Sequence, residues 1–89
     1  MRKIVLELEK MHSLPALHKY LHVALALPEY YGANLDALHD CLTDIAEPTE
    51  LVVPAAVADE ANLGWYGQQL LAMLQDAAAE NEALTVTIK

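Results

Sequence analysis

The stretch Glu47-Pro48-Thr49-Glu50-Leu51-Val52-Val53 ends in a short apolar run with two β-branched valines. A strand covered on one face alternates apolar and polar residues, whereas one covered on both faces reads as a continuous apolar run. Residues 51–53 are of the second kind. Such a strand belongs in a mostly parallel sheet with helices packed against it, and the flanking segments supply those helices.

Toward the N-terminus, Leu35, Leu38, Cys41, Leu42 and Ile45 recur at helical spacing and form one apolar stripe. Asn34 is placed to cap this helix, with Asp36 in its first turn where the helix dipole favours negative charge. Asp36 and Asp40, one turn apart, face away from the stripe, and His39 lies at its border. Before it comes the loop Pro28-Glu29-Tyr30-Tyr31-Gly32, in which Gly32 can take a backbone shape closed to other residues. Pro28 is expected to stop an earlier helix that starts at the N-cap Ser13, with Pro15 in its first turn. Leu14, Leu17, Leu21 and Ala24 form the apolar side of that helix, and His18, Lys19 and His22 the other. Residues 4–9 begin apolar and end in alternation, which predicts a first strand.

Toward the C-terminus, the Ala-rich residues 55–62 predict a short helix, and a longer one is expected over about 67–81. Leu70, Leu71, Leu74, Ala77 and Ala78 make its stripe, with Met73, Asp76 and Glu80 on the other face. Gly64 and Gly67 bracket Trp65-Tyr66, and Trp65 is expected in the core. Residues 85–88 alternate as a closing strand. The order is β, α, α, β, α, α, β: an α/β fold with a small three-stranded sheet, about four helices and right-handed crossovers. No repeat or composition break divides residues 1–89, so one domain is expected.

Thirteen acidic residues against five basic ones leave a net charge of −8. Nucleic-acid affinity comes mainly from cations that displace phosphate counterions, so the charge argues against nucleic acid as a partner. An acidic face suits a basic protein surface, although it also serves simple solubility. Cys41 alone forms no intramolecular disulfide. Met1-Arg2-Lys3 is followed by Glu7 and Glu9 rather than by an apolar signal region, and no run has the length of a membrane span. The expected location is cytoplasmic.

Few groups suggest chemistry. His18 and His22 have the i, i+4 spacing of metal ligands, but no third ligand is evident and no metal or cofactor is expected. Cys41 lies on an apolar stripe, where a thiol is an inert hydrophobe, and Ser13 is engaged as a cap. The glycines do not form a phosphate loop. The acidic pair Asp36 and Asp40 beside Tyr30-Tyr31-Gly32 is either a solvated face or a binding surface, and the tyrosines favour binding.

The segment Leu25-Ala26-Leu27-Pro28-Glu29-Tyr30-Tyr31-Gly32-Ala33-Asn34-Leu35-Asp36-Ala37-Leu38-His39-Asp40-Cys41-Leu42-Thr43 closely resembles the core motif of the barstar family, intracellular inhibitors of barnase-type ribonucleases. A weaker likeness continues around residues 71–80. The resemblance implies a three-stranded parallel sheet with helices, and a non-enzymatic protein whose second helix and preceding loop plug the active site of a basic, secreted ribonuclease. It implies that Asp40 replaces a substrate phosphate among the enzyme's cations, that Tyr30 packs on its catalytic histidine, and that Asp36 and Asp76 pair with arginines. Gly32, Asn34 and Thr43 match contact positions of the same edge. Three departures bear on the partner: His39 stands where the family commonly has Trp, Asp44-Ile45 replaces Gly-Trp, and Asp76 replaces Glu. The inhibitor is expected to act as a monomer in a 1:1 complex. A different basic toxin is the alternative partner.

Overall fold

The computed structural model describes residues 2–29, 31–32 and 34–89. Three strands, β1 (Arg2–Val5), β2 (Thr49–Val53) and β3 (Leu84–Ile88), form one sheet in the order β1-β2-β3, with both pairings parallel. Three α-helices connect them: α1 (Leu14–Ala24), α2 (Leu35–Thr43) and α3 (Trp65–Glu80). β2 is central and holds Leu51, Val52 and Val53 buried, as its unbroken apolar run requires.

β1 is shorter than the predicted strand over residues 4–9. Its last rung is Leu6 N–H to Val52 C=O, and the next would need the N–H of residue 54, which Pro54 lacks. The chain turns instead into a 3-10 helix at Leu8–Lys10, and the Glu7 N–H donates to the Tyr20 hydroxyl. The helix count is likewise three, not about four. Residues 55–62 yield only a 3-10 turn, Ala55–Ala58, because Asp59 returns to extended backbone and the Asn62 side chain donates to the Ala56 carbonyl. Side chains of this type compete with the helical ladder for backbone partners.

Both predicted caps form. Ser13 Oγ accepts from Ala16 N–H at 3.2 Å, and Asn34 Oδ1 from Ala37 N–H at 2.8 Å. α1 ends before Pro28 is reached. Leu27 N–H donates to His22 C=O and Ala26 N–H to Val23 C=O, a paired turn that satisfies the final carbonyls. The turn places Ala26 at φ 52°, a left-handed position usually given to glycine. Ala26 is exposed, so Ala26→Gly is expected to raise the unfolding free energy by about 1 kcal/mol. Urea denaturation checks this, and an unchanged midpoint would contradict it.

Met11, Leu17, Leu21, Leu38, Leu42, Leu51, Leu70 and Leu74 lie at the centre of one core between sheet and helices. α3 begins two residues before the predicted start, so Gly67 lies inside it, against the 3-10 turn at Ala55–Ala58. This start sends Tyr66 inward and leaves Trp65 70% exposed, not in the core as expected. Met73, expected on the outer face, packs partly against the core. Among the described residues, no helix is long and apolar enough to cross a membrane.

Candidate binding face and its supports

α2 is amphipathic, with Leu38 and Leu42 buried beneath and Asp36 and Asp40 exposed above. The Asp40 side chain is 86% exposed, and among the described residues no Lys or Arg pairs with either aspartate. Two carboxylates one turn apart on an exposed helix repel by a few tenths of a kcal/mol, roughly. The face therefore carries negative potential that the fold itself does not neutralise.

The neighbouring candidates are locally braced. Asn34 caps α2 with its carbonyl oxygen and donates its amide to the Gly32 carbonyl at 3.2 Å, joining loop to helix. Thr43 Oγ1 donates to the Asp40 carbonyl at 3.0 Å. Gly32 is exposed, and it does not use the left-handed freedom open to a glycine. Its small size matters instead, since a Cβ there would lie 3.2 Å from Asn34 Nδ2. Tyr30 lies outside the described residues.

α3 contributes a second acidic edge. Asp76 and Glu80, one turn apart, are both exposed, and Glu80 accepts from His39 Nε2 at 2.7 Å. On the other side of the ring, His39 Nδ1 lies 3.9 Å from Asp40 Oδ1. His39 thus links the acidic edges of α2 and α3. The same two helices are tied at their C-terminal ends by Asn81, whose amide donates to the Leu42 and Ile45 carbonyls, each at 2.9 Å. Glu80 and Asn81 are supports that helical periodicity alone does not single out, because both act across to α2.

His18 is the main departure from the sequence reading. It is 5% exposed rather than on a polar face, with Nδ1 hydrogen-bonded to the Tyr31 hydroxyl and Nε2 to that of Tyr66 at 2.7 Å. With both nitrogens engaged, it has no lone pair free to join His22 on a metal. Among the described residues, no three His, Cys, Asp or Glu side chains cluster as ligands. Burial, then Asp44 and Asp40, push the Cys41 thiol up, which disfavours the reactive thiolate.

Burial also holds the His18 imidazole below its ordinary pKa of 6.5. As pH falls through 6.5, the unfolded chain takes up a proton that the folded ring resists, so unfolding becomes easier. The His18 contribution is complete above pH 6.5 and is lost as pH falls toward the lowered folded value. Urea unfolding from pH 7.5 to 5 is expected to show this decline, and His18→Gln is expected to flatten it. An equal decline in that variant would assign the effect to other groups.

Together these features define a small parallel α/β protein that presents an acidic helix face braced from beneath. Its relatives are specific. The family model described as Barstar (barnase inhibitor) matches residues 1–89, and the chain belongs to the barstar family. It is also 38% identical over 81 residues to a Bacillus subtilis (strain 168) protein named "Putative ribonuclease inhibitor YrdF", covering 90% of this chain and 89% of that one. These relationships place the chain among inhibitors rather than enzymes.

Proposed function

We propose that this chain is a stoichiometric inhibitor of a barnase-type, guanyl-specific ribonuclease, occluding the active site with α2 and the loop before it. The observation that carries this is the exposed pair Asp36 and Asp40, which no described Lys or Arg pairs with, in the segment that resembles the family's core motif. A ribonuclease pocket that holds RNA phosphate is cationic, and carboxylates presented in phosphate's place satisfy the same cations. In this reading Asp40 occupies the centre, Asp36 and Asp76 meet arginines, Tyr30 packs on the catalytic histidine, and Gly32, Asn34, His39 and Thr43 line the rim. The net charge of −8 speeds encounter with a basic enzyme. A monomer acting 1:1 in the cytoplasm, protecting the cell from its own secreted enzyme, fits this role.

A second reading keeps the fold and the acidic face but changes the partner to another basic toxin. His39 and Asp44-Ile45 favour it, because they remove aromatic area from the rim where the family commonly has Trp. Titrating a barnase-type ribonuclease while following RNA cleavage separates the two. Loss of activity at one equivalent supports the first reading, and full activity at excess inhibitor overturns that target.

A further inference from the structure

Tyr31 adjoins Gly32, which the proposed function places on the rim, and like Gly32 it belongs to neither a helix nor a strand. Its backbone N–H closes a local turn onto the Pro28 carbonyl at 3.0 Å. Its ring goes inward, tilted against His18 and His22 at centroid distances of 5.8 and 6.0 Å. The hydroxyl ends on His18 Nδ1, and the opposite ring nitrogen continues to Tyr66 on α3. We propose that His18 is a positioning residue for the inhibitory loop, fixing it at Tyr31 to α3 through the chain Tyr31–His18–Tyr66.

The chemistry of the three groups suits this purpose. A neutral imidazole offers one donor and one acceptor, and a tyrosine hydroxyl serves as either, so both ring nitrogens are satisfied. Burial disfavours the imidazolium and raises both phenols, that of Tyr31 to about 12, so all three stay neutral near pH 7. Packing alone does not lock Tyr31. With His18, Leu14, Pro15, Lys19 and His22 it borders an open groove of about 540 Å³, so one flank of the ring lacks neighbours among the described residues. The hydrogen bond to His18 therefore gives the loop a fixed point on α1 and α3 beyond the Asn34–Gly32 bond to α2. A loop already held in its bound shape loses less entropy on association, and most such gains appear in the dissociation rate.

The effect on inhibition rests on the proposed ribonuclease target, whereas the clamp is measurable in the free protein. Tyr31→Phe and Tyr66→Phe each delete one hydroxyl and keep the ring. Amide hydrogen exchange at Tyr31 and Gly32 is expected to quicken up to about tenfold in each variant, with Leu70 and Leu74 little changed. Dissociation from the inhibited ribonuclease is expected to quicken by a similar factor, and the double variant to add little, because either deletion breaks the chain. Exchange at wild-type rates in Tyr31→Phe overturns the clamp. Equal acceleration at Tyr31 and Leu74 reveals general destabilisation and overturns it too. Faster local exchange with an unchanged dissociation rate overturns the role in inhibition. If the wild-type protein leaves the ribonuclease active, the target is wrong and exchange alone decides the clamp.

Discussion

Asp40→Ala is expected to weaken binding to a barnase-type ribonuclease by about 2–5 kcal/mol, roughly 30-fold to several-thousand-fold. This is the general range for truncating one member of a buried interfacial charge pair, with barnase and barstar themselves among the systems that define it, and is not a value derived from this surface. Most of the loss comes from the enzyme's side. Its cations, freed of phosphate and sealed from water, have no partner once the carboxylate is gone. The inhibitor itself loses little, because the Asp40 side chain is 86% exposed, and alanine is the better helix former and relieves repulsion from Asp36. Inhibition titrations and urea unfolding of the same variant test both halves. Full inhibition at wild-type affinity would remove Asp40 from the centre of the interface, and a large fall in stability would mean that its loss acts through the fold.

Those two halves separate because the acidic face is nearly independent of the core beneath it, and that independence made the face legible in sequence. The alternation of Leu38 and Leu42 with Asp36 and Asp40 is a property of nine consecutive residues, and nothing distant alters which side is wet. The same holds for the caps at Ser13 and Asn34 and for the doubly covered strand at Leu51 to Val53. What local pattern misses is set by remote partners. His18 is buried because hydroxyls arrive from 13 and 48 positions away, so its i, i+4 spacing with His22 carried no information about its surroundings. β1 stops early because Pro54 directly follows its neighbour strand. The link between the acidic edges depends on Glu80 reaching His39, which requires the packing of α2 on α3 to be known first.

Trp65 belongs to the same class, and its cause leads to the largest expected change in stability. Gly67→Ala would ordinarily stabilise a helix, since alanine is favoured over glycine by about 1 kcal/mol in a helix interior. Here a Cβ would stand 1.9 Å from the Val57 carbonyl oxygen, 2.4 Å from its carbon and 2.8 Å from Ala58 N, all backbone atoms that no rotamer change removes. Val57 is itself fully buried, and its carbonyl accepts from Leu63 N–H, so the turn cannot withdraw without losing both the packing and that bond. Moving α3 outward instead would open the core at Leu70 and Leu74, which share its buried face with Gly67. Overpacking of this kind costs about 1–3 kcal/mol and sometimes more, and a clash with the backbone of the Val57–Ala58 peptide rather than with a side chain places Gly67 at the upper end. A net loss of about 2–3 kcal/mol is therefore expected after the helix-propensity gain, lowering the thermal midpoint by roughly 10–20 °C in a chain of this size. Gln68→Ala, at the next and exposed position, is expected to change it by no more than about 2–3 °C. A Gly67→Ala protein as stable as wild type would show that α3 and the Ala55–Ala58 turn do not pack this closely. The inward aim of Tyr66, and with it the α3 anchor for His18, would then need a different support.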